Sequence, residues 1–354
     1  FGRGFYVLDD YTPLRGLSEA ALAAEATLFP VHDALRYVER ARLGLPTLDK
    51  AFQGDTHYVA SNPPFGALVT YHLADDVATR AERRLEAEKQ ARKAGTTSPY
   101  PTQEALRAED EEHEPRLLLV VRDPAGEVVR RVEGPRTKGI HRVAWDLRHP
   151  AATPTELDRG VPEPWDPPRV GPLALPGDYT VTLEREVDGV LTALAGPVGF
   201  AVRSLDGSPL SAPDPKAQLE FQHRVARLQR AVAGAVKAAG EVGERLRHLR
   251  QAVVDTPAAG PERLAELAAI ETGLNDLMVE LRGDTSRAKR NEPVSPSIAG
   301  RVERIVGSQW TTTQGPTGTQ RDGYRYAADA FATQLDALEG LIGRLEALES
   351  ALDA

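Results

Sequence analysis

The 354-residue chain contains no cysteine, and methionine occurs once, at Met278. Without thiols it builds neither a disulfide framework nor a thiolate metal site, and its redox compartment is unmarked. No run of eighteen or so apolar residues is present, so no segment reads as a helix spanning about 30 Å of hydrocarbon. Positive charge is also in deficit. Forty-three Lys and Arg against 52 Asp and Glu leave a formal net charge of -9, which on balance repels a phosphate backbone and argues against a nucleic-acid partner. Gly-x-Ser-x-Gly does not occur, and Gly2-Arg3-Gly4 opens no helix as a phosphate loop would. What is there, 41% hydrophobic and 27% charged residues, is ordinary globular composition at a length that favours two or three domains.

Residues 1–60 begin with Phe1-Gly2-Arg3-Gly4-Phe5-Tyr6-Val7-Leu8-Asp9-Asp10, whose alternation reads as a strand. A lone strand leaves its main chain unpaired. It is therefore expected to join a sheet supplied from upstream of Phe1 or by another chain, which makes the chain a fragment or a processed product. A turn over Asp9 to Pro13 leads into a short amphipathic helix from Pro13 to Ala26. The stretch to about Ser61 reads as irregular, limited by Pro30 and Pro46.

Residues 61–207 carry period-2 apolar patterns. Ala67, Val69, Tyr71 and Leu73 fall on one side of a strand, and Leu117 to Arg122 and Glu127 to Glu133 flank an Asp123-Pro124-Ala125-Gly126 turn as an antiparallel pair. Val143, Trp145 and Leu147 line a fourth strand, Tyr179, Val181 and Leu183 a fifth, and Val198, Phe200 and Val202 a sixth. Six short alternating strands predict an immunoglobulin-like β-sandwich. Two interruptions are expected. Residues 75–114 are dense in Arg, Lys and Glu and read as a solvated helical insertion turning near Pro99 and Pro101. Residues 150–176 read as a Pro-rich extended loop tied down by Trp165.

Residues 208–354 switch to steps of three and four. Phe221, Val225, Leu228, Val232, Ala235, Ala239, Val242, Leu246, Leu249 and Val253 form one stripe, and Leu267, Ile270, Leu274, Leu277 and Leu281 a second. Ile298, Val302, Ile305 and Trp310 form a third. Thr319 and Asp322 give a capping signature for a fourth helix, striped by Tyr324, Ala328, Phe331, Leu335, Leu338, Ile342 and Leu345. Four stripes with short connections predict an antiparallel, up-and-down four-helix bundle. A wide stripe would leave apolar surface for assembly.

No group of side chains announces a reaction. Asp9 and Asp10, neighbours on a strand, point to opposite faces and do not converge on one proton or ion; a turn cap before Thr12 and Pro13 fits them better. Asp110-Glu111-Glu112-His113-Glu114 diverges as consecutive residues must and reads as a solvated charge run rather than a divalent-metal site. His141, Asp146 and His149 around Trp145 would be a base with its orienting carboxylate, yet a core Trp145 with Asp146 and Arg148 at the rim accounts for the same pattern. His223 and His248 lie on polar helix faces without a Glu-x-x-His motif, and Arg224, Arg227 and Arg230 form a solvated or interface face. No catalytic, cofactor-binding or metal-ligating residue is named on this basis, and no cofactor is expected.

Four ordered landmarks resemble a known family: Gly2 to Asp10; Asn62-Pro63-Pro64-Phe65-Gly66-Ala67; Ile140-His141-Arg142-Val143-Ala144-Trp145-Asp146-Leu147-Arg148; and Leu175-Pro176-Gly177-Asp178-Tyr179. With Pro316-Thr317, they are similar to bacterial sortilin-like propeller proteins with BNR-type repeats, often labelled glycosyl hydrolase. The resemblance implies that Phe1 begins inside the last propeller blade, followed by a sandwich of the hook-capping type and then the bundle. It also implies a secreted or periplasmic protein whose ligand is protein or carbohydrate. No Asp-box of the form Ser-x-Asp-x-Gly-x-Thr-Trp occurs, and the propeller lies upstream, so the resemblance places no catalytic residue here. The expected function is a non-catalytic scaffold and interaction region. The alternative is part of a glycoside hydrolase or other hydrolase completed by the missing blades, where Asp9 or Asp10 would supply one of two carboxylates.

Overall fold

Alternation of apolar residues produces two sheets, and stripes at helical spacing produce four packed helices; the chain is mixed α and β. The computed structural model describes residues 8, 10–39, 54–60, 62–156, 169–205 and 212–353. It divides into two units, Phe1–Pro150 with Leu173–Ser208, and Ala151–Pro172 with Pro209–Ala354. The strand expected over Phe1 to Asp10 falls mostly on residues 1–7 and 9, outside the described residues, as does Trp165.

In the first unit, β1 (Ala26–Leu28), β3 (Ala67–Leu73) and β6 (Gly139–Trp145) form an antiparallel sheet in the order β1-β3-β6. The second sheet runs β2-β8-β7-β4-β5, from β2 (Ala34–Arg36), β4 (Arg116–Arg122), β5 (Val128–Gly134), β7 (Gly177–Val187) and β8 (Val190–Ser204). Only the β2–β8 pair is parallel; Ala34 lies opposite Val202. β4 and β5 form the expected antiparallel pair, with Leu119 opposite Val132, and the Asp123 carboxylate accepts from the Ala125 and Glu127 amides in the turn between them. Ala67, Val69, Tyr71 and Leu73 share one core with Leu117, Leu119, Val181, Leu183 and Phe200, so both sheets bury a face in the same apolar interior. Trp145 is 1% exposed, and its ring centroid lies 5.3 Å from that of Tyr179 and 6.2 Å from that of Phe200 on the other sheet. Each such side chain contributes about 2–3 kcal/mol by leaving water.

Two readings of the first sixty residues are corrected. The helix expected from Pro13 to Ala26 is broken into a 3-10 turn, Thr12–Gly16, and α1, Glu19–Ala23, because Leu17 is extended and Ser18 caps a new start by accepting from the Ala21 amide. The segment after it is not irregular throughout. β1 and β2 are three residues each, too short to show a period, and are held by pairing to longer strands.

The charged insertion forms α2 (Arg80–Lys93) and α3 (Gln103–Asp110), neither with a buried residue. A capping box starts α2: the Glu82 amide donates to Thr79 Oγ1 and the Thr79 amide to Glu82 Oε2. Ionic contacts hold the insertion. Arg84 forks onto Glu109 at 2.7 and 2.8 Å, Arg136 forks onto Glu82 at 2.7 and 3.0 Å and reaches Glu114 at 2.6 Å, and Arg80 pairs with Asp188 at 2.9 Å.

In the second unit α4 (Pro215–Asp255), α5 (Pro261–Arg282), α7 (Ile298–Gln309) and α8 (Gly318–Asp353) share one core, with a one-turn α6 (Thr285–Ala288) between α5 and α7. Their arrangement differs from an up-and-down bundle of four. Gln222 of α4 donates to the Gln309 carbonyl, and the Gln309 amide to Gln320 of α8, which sets the starts of α4 and α8 together at the end of α7. Far along the same helices, Arg245 pairs with Glu349, Arg250 with Glu271, and Arg344 with Glu266 at 2.9 Å. α4 and α8 therefore run parallel, while α5 and α7 run the other way in tandem. At about 1.5 Å per residue, α4 is about 60 Å long and α5 plus α7 about 50 Å, so the two shorter helices together line one long groove. Gly283, with φ of 98°, and Pro293 and Pro296 break what would otherwise be one rod.

Two further details shift. The cap of α8 is Thr317 with Gln320, whose side chains and amides bond reciprocally at 3.3 and 2.8 Å, rather than Thr319 with Asp322. Along α8 the buried set is Ala327, Phe331, Leu338, Leu341, Leu345 and Leu348, while Leu335 is exposed, because a 3.6-residue turn drifts off a strict heptad. The described residues of the expected loop, 151–156 and 169–172, group with the helices: Val170 packs on their core and its carbonyl accepts from Trp310 Nε1 at 2.9 Å.

Candidate binding site at the Trp145 turn

β6 ends at Trp145, and the next four residues form a turn tied from several sides. Gly66 lies against the Trp145 carbonyl with φ of 111°; a Cβ there would sit 1.9 Å from that oxygen. Leu147 adopts the left-handed region at φ 53°, a conformation that costs a non-glycine residue about 1 kcal/mol or more and needs support from its surroundings. The support is visible. Asp146 Oδ1 accepts from the Arg148 amide at 3.1 Å, Trp145 Nε1 donates to the Arg148 carbonyl at 3.0 Å, and Arg130 donates to the His149 carbonyl at 3.1 Å. The Leu147 carbonyl accepts from the Ala174 amide at 2.7 Å, and Arg148 bridges to Leu173.

The same Leu173–Ala174 stretch receives a guanidinium. Arg36, the last residue of β2, donates Nε to the Ala174 carbonyl at 2.7 Å. It is half-buried, and its two terminal nitrogens make no hydrogen bond among the described residues. Burial lowers the Arg36 pKa, and the Arg148 charge lowers it further. Burial also lowers that of Arg148, opposed by Asp146 and Glu39. Burial raises the Glu39 carboxyl, with Arg148 opposing and Asp146 adding. Tyr179 donates its hydroxyl to the Leu175 carbonyl at 2.7 Å, and burial pushes its pKa up to about 12. An unengaged guanidinium fork in a partly buried setting attracts an anion more than it would in water.

The residues singled out from sequence take structural places. Asp10 accepts from the Thr12 amide at 2.9 Å, as a turn cap does, and its carbonyl accepts from Arg142; Asp9 lies outside the described residues. Within the 110–114 run, Glu112 accepts from the Arg80 amide at 2.5 Å and Glu114 pairs with Arg136, so both serve the insertion. His141 Nε2 contacts the Thr137 carbonyl at 2.5 Å, and the rest of β6, through Trp145, separates it from the turn that carries His149. Asp146 bonds a backbone amide and orients neither histidine. His223 is half-buried, its pKa lowered by burial and by Arg227, whereas His248, Arg224, Arg227 and Arg230 are exposed. Among the described residues no group of three His, Asp or Glu side chains is placed to hold a metal ion, and no helix is long and apolar enough to cross a membrane. Sequence reasoning put Arg148 at the rim but missed Arg36 and Glu39, which sit in a segment with no period to flag them.

Comparison with known proteins gave no match: no family model, no curated protein and no solved structure is significantly similar to this chain.

Proposed function

We propose that this chain is a non-catalytic scaffold and interaction region, the C-terminal part of a secreted, extracytoplasmic sortilin-like protein whose BNR-repeat propeller lies upstream. In this reading residues 1–60 complete a propeller blade and its connection, and the two sheets form an immunoglobulin-like sandwich that binds a protein or carbohydrate. The helical unit is its scaffold. The reading rests on the landmark residues above and on one structural observation: the Trp145 turn, whose sequence carries the resemblance, is locked by four hydrogen bonds beside a half-buried guanidinium that is itself fixed on Ala174. A preorganised polar group on a rigid frame is what a recognition surface requires.

The test is a direct one. The purified chain should bind a member of a panel of immobilised oligosaccharides and extracellular peptides without turning it over. Release of sugar or cleavage of peptide by this chain, lost on substitution of one of its own residues, would instead make it a hydrolase. Failure to bind any panel member would remove the interaction reading.

A further inference from the structure

We infer that the Arg36–Ala174 corner of the first unit is a carboxylate-binding site, with the terminal nitrogens of Arg36 as the recognition element. The inference deepens the reading of the sheet unit as a binding module and rests on it.

The geometry selects the chemistry. Arg36 cannot swing freely, because its Nε–H is committed to the Ala174 carbonyl at 2.7 Å. That carbonyl is itself fixed, since the Ala174 amide is held by Leu147 at 2.7 Å in a turn tied on both sides. Fixing Nε orients the guanidinium plane and leaves its terminal N–H groups unengaged among the described residues. A planar fork with parallel donors matches the two oxygens of a carboxylate. Arg148, whose main chain pairs with Leu173 in the same stretch, is near enough for its charge to act on Arg36.

The charge balance favours a monoanion over a phosphate. Glu39 and Asp146 lie close enough to Arg148 to act on its titration, so this corner sets two carboxylates beside two guanidiniums and carries no excess of positive charge to hold a dianion. A dianion would gain little more from Arg36 and would be repelled by two nearby carboxylates. Burial of Arg36 strengthens the pairing relative to water, while a single fork, Arg148 having a partner of its own, keeps the site weak and small.

Titration of the 15N-labelled full chain by NMR tests this. The probes are D-glucuronate and N-acetyl-L-alanine, two sources of the same carboxylate, with D-glucose, N-acetyl-L-alanine methylamide and inorganic phosphate as comparisons. The expected result is saturable shifts of the Arg36 Nε–H and the Ala174 and Leu175 amides with either or both carboxylates, at a Kd of about a millimolar. Which carboxylate binds more tightly identifies the sugar or the peptide source. Arg36→Gln should weaken binding at least about tenfold and Arg36→Lys by less, since it keeps charge but loses the fork. Glu39→Gln, which leaves Arg36 untouched, should tighten it about threefold by removing a competing anion. No saturable shift, an equal response to the neutral comparisons, tighter binding of phosphate, or an Arg36→Gln chain that folds and binds as well would each overturn the inference. Binding of a panel protein or oligosaccharide that persists in Arg36→Gln would leave the proposed function standing while removing this site.

Discussion

At the scale of single residues, two glycines and one tryptophan carry consequences that can be measured. Gly66 has both a left-handed φ and a carbonyl 1.9 Å from where its Cβ would be, so Gly66→Ala must move the Trp145 backbone. It should destabilise the first unit by more than about 2 kcal/mol, read as a shift in the urea midpoint. Gly126→Ala meets nothing within 4 Å and suffers only its φ of 83°, so it should cost less. Trp310, 4% exposed, donates to the Val170 carbonyl; Trp310→Phe keeps an aromatic ring but removes that donor, with an expected loss of about 1–2 kcal/mol in the second unit. Trp145 was legible because alternation over Val143, Trp145 and Leu147 marks an inward face. Arg36 was not, because the property that sets it apart, an amine fixed by one carbonyl from residue 174, is a contact 138 residues away in the chain.

At the scale of elements, α2 and α3 illustrate structure made without a core. Burying no residue, they depend on charged forks and capping, and surface ion pairs weaken as salt screens them. Hydrogen bonds from Arg136, then from the Thr79 amide, lower the Glu82 carboxyl to a pKa of about 2. A depressed carboxyl contributes stability that is complete above its unfolded value near 4.5 and is lost as pH falls toward 2. Protection factors of the α2 amides, corrected for the intrinsic pH dependence of exchange, should therefore fall on acidification through that window, and fall further in 1 M salt. Arg136→Met should lower the same protection factors at neutral pH while leaving β4 and β7 protected. The insertion was legible from its density of charge. The direction of the helices in the second unit was not, since four stripes are equally compatible with four antiparallel helices and with two long ones flanking a broken third. Helix lengths decide it, and lengths emerge only once Gly283 is seen to stop α5.

At the scale of the whole chain, the two hydrophobic cores have no residue in common: Leu345, Ile270 and Val225 belong to one, Trp145, Tyr71 and Leu183 to the other. Leu345→Ala should cost about 3 kcal/mol, and the loss should appear in the amide protection of α4 and α8 before it appears in that of β4 and β7. The boundary between β and α parts near residue 208 was legible from the change of period. The return of residues 151–156 and 169–172 to the helices was not, because Pro-rich sequence carries no period and Val170 is placed by a partner 140 residues further on. The parallel course of α4 and α8 has a mechanical corollary. An odd number of passes leaves Pro215 and Asp353 at opposite extremities, separated by about 54 Å for the 36 residues of α8. Tension applied between those points would load the unit lengthwise as a strut, in shear along its long helices, whereas an even count would return both points to the same extremity and peel the helices apart.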